Sequence, residues 1–146
     1  MKNNNNVVEH YENIGRQKLE KSINILFKGY EQHKFGSMTD SYDCAIKTET
    51  KKYLVEVKNR LINSDKYSTS LIRCNKFNFL ASSTIKGYVP LFICFYEDGY
   101  GLAWDLTKVT KGNIVMINGK NPVKNNRYEL MPHYELNVAE AIRFKY

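Results

Sequence analysis

Two short segments rich in Tyr, Ile, Val and Leu, 42–47 and 52–58, flank the polar stretch Thr48-Glu49-Thr50-Lys51, and that arrangement predicts an antiparallel hairpin. Pairing Lys47 with Lys52 across the turn fixes the register by counting outward. Asp43 then stands opposite Glu56, with Cβ atoms about 5 Å apart. Successive side chains alternate across a strand, so Lys58 shares the face of Glu56 while Val55 and Val57 point the other way. Three ionisable groups converge on one spot of an otherwise apolar hairpin.

Two directly opposed carboxylates repel, and in apolar strands the arrangement costs stability unless a cation sits between them. A divalent metal is the natural occupant, and Mg²⁺ accepts a few carboxylates completed by water and phosphate oxygens. Lys58 beside the pair is placed to hold a water or a phosphate oxygen and to offset charge that builds up in a displacement. The competing reading makes Asp43 and Glu56 solvated strand-end charges with Lys58 as an ordinary ion-pair partner. For an isolated Glu-x-Lys that reading would win. The context argues for a site: an acid opens one strand and Glu56-Val57-Lys58 closes the next, after one helical segment and before another.

That pattern resembles the PD-(D/E)XK nuclease superfamily, with Asp43 as the first acid and Glu56-Val57-Lys58 as the (D/E)XK element. The run Tyr53-Leu54-Val55-Glu56-Val57-Lys58-Asn59-Arg60 is most similar to the archaeal Holliday-junction resolvases and small phage nucleases. Tyr42 stands where the motif's name has proline, and Asp40 is a rival first acid; register with Glu56 favours Asp43. The resemblance implies an α/β, restriction-endonuclease-like core of helix, three strands, helix and strand. Its mixed central sheet is flanked by helices and extended by C-terminal strands.

With 146 residues the chain is expected to form one domain over 12–146, after a disordered tail at 1–11, with core enough to fold without disulfides. Its net charge of +7 points to polyanionic partners. No apolar run approaches a membrane span. Cys44, Cys74 and Cys94 are widely spaced and odd in number, and His10, His33 and His133 form no ligand pattern. These features suggest reduced core cysteines in a cytoplasmic, intracellular protein and no zinc site.

Along the chain, Leu19, Ile23, Leu26, Phe27 and Tyr30 form a helical stripe over 12–29, with Gly29 as the stop. Glu20 borders that stripe. The resemblance implies that a first-helix glutamate completes the metal site, and Glu20 is the matching residue, with Glu12 as fallback; the alternative is a solvated Glu20 among Arg16, Lys18 and Lys21. A short strand is expected at 30–35. A second helix is expected over 68–82, with Leu71, Ile72, Phe79 and Leu80 as its apolar set. Lys76 borders that set and is a candidate to reach over the site, or else a surface lysine with a buried stem. A strand buried on both faces follows at 88–96, with Pro90 near its start. Segments 101–106 and 113–118 read as strands, Asn121-Pro122 as a loop, and 138–144 as either helix or strand.

The resemblance thus implies a Mg²⁺-dependent deoxyribonuclease, Mn²⁺ substituting, with a structure-specific, junction-resolving endonuclease favoured. Its setting would be DNA repair, recombination or phage DNA metabolism, the last acting in a host cell. Catalysis would fall to Asp43, Glu56, Lys58, Glu20 and Lys76, and metal binding to Asp43, Glu56 and Glu20. Lys47, Arg60, Lys66, Tyr67, Ser68, Ser70 and Arg73 are candidates for contacts to nucleic acid. Paired cuts on a junction require a homodimer, for which an exposed apolar strand is the expected face. The alternatives are a non-catalytic nucleic-acid-binding or structural protein of the same fold, and an RNA-cleaving enzyme or nuclease-complex subunit.

Overall fold

The hairpin forms in the expected register. In the computed structural model, which describes residues 4–37, 40–121 and 127–146, strand β2 (Cys44–Thr48) pairs antiparallel with β3 (Lys52–Asn59), and Lys47 faces Lys52. Thr48 closes the turn: its amide donates to the Lys51 carbonyl at 2.8 Å and its Oγ1 accepts the Lys51 amide at 3.0 Å. That local bonding fixes the register from which the rest follows.

Helix α1 (Asn4–Leu26) begins earlier than the expected Glu12, taking in most of the stretch expected to be a disordered tail. Once a stripe has nucleated a helix, adding turns at its end costs little. The chain turns at Gly29, whose φ of 72° suits a residue without Cβ. Strand β1 (Tyr30–Phe35) then pairs with β2. Leu19, Ile23 and Phe27 pack with Val55 and Val57 on one face of the sheet. Gly15 lets α1 approach: a Cβ there would stand 3.2 Å from Val57 Cγ1.

The expected helix over 68–82 is corrected at its first half. Thr69–Arg73 forms strand β4, and helix α2 covers only Cys74–Ser82. Ser70 and Ile72 alternate inward, as a strand requires, while α2 buries Cys74, Phe77 and Leu80 and leaves Phe79 exposed. The deciding partner is distant in sequence: β8 (Arg127–Asn137) pairs with β4 over its whole length, and a cross-strand ladder outweighs a local helical pattern. Strand β5 (Tyr88–Phe95) follows, with Pro90 near its start as expected. Then come β6 (Tyr100–Asp105), β7 (Ile114–Asn121), β8, a 3₁₀ turn at Val138–Glu140 and β9 (Ile142–Lys145). The segment 138–144, readable as helix or strand, is a turn and then a strand. Asn121 ends β7, and Pro122 lies outside the described residues.

The main sheet is mixed, in the order β1-β2-β3-β5-β6-β9, with β3 and β5 parallel and the other neighbours antiparallel. The crossover from β3 to β5 carries β4 and α2, and β4, β8 and β7 form a second, antiparallel sheet. The sheets share a core: Leu54, Phe92 and Trp104 of the first pack with Ile72 and Leu136 of the second around Phe77 and Leu80. All three cysteines are free and buried, and burial pushes the Cys44 thiol up to about 12, so it stays protonated. No helix among the described residues is long and apolar enough to cross a membrane.

Candidate active site

Alternation along β3 sends Val55 and Val57 toward α1 and Leu54, Glu56 and Lys58 toward the α2 side. Asp43 immediately precedes β2, one step beyond the Cys44–Val55 pair and therefore level with Glu56. Its position is held twice by backbone. The Asp43 amide donates to the Val55 carbonyl at 2.9 Å, and its Oδ2 accepts the Val57 amide at 2.7 Å. Asp40, the rival first acid, is engaged elsewhere: its Oδ2 takes the Ser37 amide at 2.6 Å.

Glu56 is 4% exposed. Lys58 Nζ lies 3.7 Å from its Oε1 and Lys76 Nζ 3.5 Å from its Oε2, yet Oε2 has no hydrogen bond. Burial is the largest influence on this carboxyl and the nearby charge of Asp43 the next; together they outweigh Lys58 and Lys76 and raise it from 4.5 to about 7. Glu56 thus keeps a buried oxygen without a hydrogen bond beside a second carboxylate, and Lys58 and Lys76 offset that cost only in part. Lys76 reaches Glu56 from α2, and its Nζ also donates to the Ser41 carbonyl at 3.1 Å.

Glu20 is placed differently. It lies on α1, across the sheet from Glu56, is exposed, and pairs with His33 Nε2 at 3.8 Å. Glu12 is exposed farther along the same helix. Among the described residues no group of three or more His, Cys, Asp or Glu side chains gathers as a metal cluster, so no third such side chain joins the pair Asp43–Glu56.

Arg16 is the site residue that sequence reasoning missed. Its guanidinium stands 3.9 Å from Asp43 Oδ1, donates to the Gly36 carbonyl at 3.3 Å and lies over the Phe35 ring at 5.2 Å. Extending the stripe of Leu19 and Ile23 back by one turn lands on Arg16, and a cation on an otherwise apolar line was the available signal.

The expected contacts to nucleic acid scatter. Arg60, Tyr67 and Ser70 line one hollow of about 180 Å³ beyond the end of β3. There Arg60 donates to the Leu71 carbonyl at 3.1 Å, and buried Ser70 sits 3.8 Å from Cys94 Sγ. Lys66 lies over the Tyr67 ring at 5.5 Å. Ser68 is exposed, with its carbonyl taking the Val138 amide, and Arg73 is exposed at the start of α2. Lys47 is at the turn end of the hairpin, four residues from Asp43, or about 13 Å along the strand.

The chain is similar in fold to a solved structure of Hjc from Archaeoglobus fulgidus, a Holliday junction resolvase from an archaeal hyperthermophile. The TM-score is 0.56 and the identity 7%, over 86% of this chain and 88% of that one. The fold is therefore the restriction-endonuclease-like α/β fold. No protein-family model matches the sequence. No curated protein matches it either.

Proposed function

We propose that this chain is a metal-dependent nuclease that hydrolyses phosphodiester bonds in DNA, with a branched duplex such as a four-way junction as its preferred substrate. One observation carries the reading: buried Glu56, with an oxygen lacking any hydrogen bond, beside Asp43 and within reach of Lys58 and Lys76. The likeness in fold to a junction resolvase supports the reaction class, and the net charge of +7 supports a polyanionic substrate. Three buried, free thiols favour a reducing, intracellular setting.

The donor set fits Mg²⁺, which takes two carboxylates and completes its shell with water and phosphate oxygens; Mn²⁺, with similar oxygen preferences, is expected to substitute. Asp43 and Glu56 would hold the ion. When bound it supplies neutralisation of the phosphate charge and a more acidic water. The rest falls to the protein. The Val57 amide and Arg16 fix the Asp43 carboxylate. Lys76 offsets charge on Glu56 and ties α2 to the Ser41 carbonyl, which holds the helix over the site. Lys58, about half exposed, faces the substrate side and donates to the attacking water or to the phosphoryl oxygen that gains charge. The water oxygen bonds to phosphorus and loses its proton to solvent as the P–O bond opposite breaks and the departing oxygen is protonated.

Two cuts on a junction need two sites, and a homodimer with twofold symmetry is part of this proposal. The β7–β8 arm offers a surface for it. Among the described residues β7 is an edge strand of its sheet, and Ile114, Met116 and Leu130, on one face by register, are half or more exposed. The test is a labelled panel of four-way junction, flap, linear duplex, single strand and RNA, incubated with Mg²⁺ and with EDTA. Metal-dependent cutting, fastest on the junction, is expected. Binding without cutting in either Mg²⁺ or Mn²⁺ would overturn the proposal.

A further inference from the structure

We infer that the exposed face of β1 and β2, with Lys52 at the start of β3, is a track for the phosphodiester backbone of the strand being cut, held by Lys34, Lys47 and Lys52. Gln32 pairs with Lys47, Lys47 with Lys52 and Lys52 with Tyr88, so these four side chains form a row across four strands. Lys34, Ala45, Leu54 and Pro90 form the next row, and Asp43, Glu56 and Phe92 the one after. Cross-strand partners share a face, and so do residues two apart. All three rows therefore lie on the face that carries Asp43 and Glu56.

That face is open where the lysines are. A groove of about 470 Å³ runs along it, with Gln32, Lys34, Lys47, Lys52 and Tyr88 among its lining residues and no carboxylate of the described residues in its walls. Lys52 Nζ rests 4.3 Å from the centre of the Tyr88 ring, which holds the ammonium along the sheet. Lys47 meets Glu31 at 3.9 Å, but both are exposed, and such a pair is too weak to withhold Lys47 from a phosphate. The lysines begin one row from the acidic pair and end two rows away, about 13 Å along the strands. That distance is about four nucleotides of B-form rise along one strand. Fixed cations at that spacing, reading no base edges, suit a sugar–phosphate backbone on one side of the cut.

The inference rests on the nuclease reading only for which strand lies in the groove. It is tested by anisotropy of a labelled four-way junction and a labelled duplex in EDTA over a range of salt. Glu56→Gln is compared with the same variant carrying Lys34→Gln, Lys47→Gln and Lys52→Gln. The three lysines are exposed, so near-UV circular dichroism should be unchanged. A control set, Lys21→Gln, Lys28→Gln and Lys145→Gln in the Glu56→Gln background, removes the same charge elsewhere. The track predicts that the slope of log affinity against log salt falls by about 2 to 3 in the groove variant, and by much less in the control. In the cleaving background, the groove variant should raise KM with kcat kept. Equal slopes in groove and control variants would overturn the track even if the wild type cleaves. Loss of the slope in the groove variant with no cleavage by the wild type would keep the polyanion site and overturn the nuclease.

Discussion

Lys76 Nζ, on α2, stands 3.5 Å from Glu56 Oε2, on β3, so the crossover helix and the hairpin meet at the one buried carboxylate of the candidate site. Lys76 lowers the cost of ionising Glu56, so Lys76→Met should push that carboxyl further up. Cleavage is expected to fall by about tenfold to a hundredfold, and the pH at which activity rises should move upward. A smaller rate with an unmoved pH profile would assign Lys76 a merely structural part.

Ionisation of Glu56 also sets a pH dependence of stability. In the unfolded chain the carboxyl loses its proton near 4.5; in the metal-free folded protein it holds it to about 7. Between those values the unfolded state binds fewer protons, so stability falls as pH rises, by up to about 3 kcal/mol, and levels off above 7. Glu56→Gln, which mimics the protonated form, should match the wild type near pH 4 and exceed it at pH 8. Urea denaturation at the two pH values, with EDTA present, measures this directly, and a wild type that gains stability over the variant from pH 4 to pH 8 would contradict the assignment.

Metal should reverse that cost. At a concentration of Mg²⁺ about a hundred times its Kd, the folded state gains about 2.7 kcal/mol, which for a domain of this size moves Tm by several degrees. Differential scanning calorimetry at pH 8 should show the shift in the wild type and its loss in Asp43→Asn and in Glu56→Gln. Equal shifts in all three proteins would place the ion elsewhere.

The homodimer is tested on the arm. Ile114→Glu with Met116→Glu alters exposed positions, so folding should be kept while self-association weakens at least tenfold, as expected when central apolar contacts are charged. Sedimentation velocity across a concentration series reads it. A wild type that remains monomeric at tens of micromolar would remove the dimer from the proposal.

The hairpin was legible because its register depends on local chemistry: Thr48 closes the turn, and counting from Lys47 and Lys52 brings Asp43 level with Glu56. The apolar stripe of α1 and the buried strand β5 were legible for the same reason, since periodicity is a local signal. What escaped the sequence is set by partners far along the chain. Thr69–Arg73 reads as helix until β8 supplies its ladder, and the pairing of exposed Glu20 with His33 depends on β1 lying beside α1. Arg16 was hidden because a charge on an apolar line is recognised only once its carboxylate partner is known. Lys34 and Lys52 gained meaning only when β1 and β5 were aligned with the hairpin.

Whether Asp43, Glu56 and Lys58 form a hydrolytic site is decided by single-turnover cleavage of a four-way junction in Mg²⁺ by wild type, Glu56→Gln and Lys58→Ala. Each protein's junction affinity is measured in EDTA. Cutting by the wild type is expected, with a loss of at least about a thousandfold in both variants and affinity kept within a few-fold. Wild-type rates of cutting by either variant would contradict it.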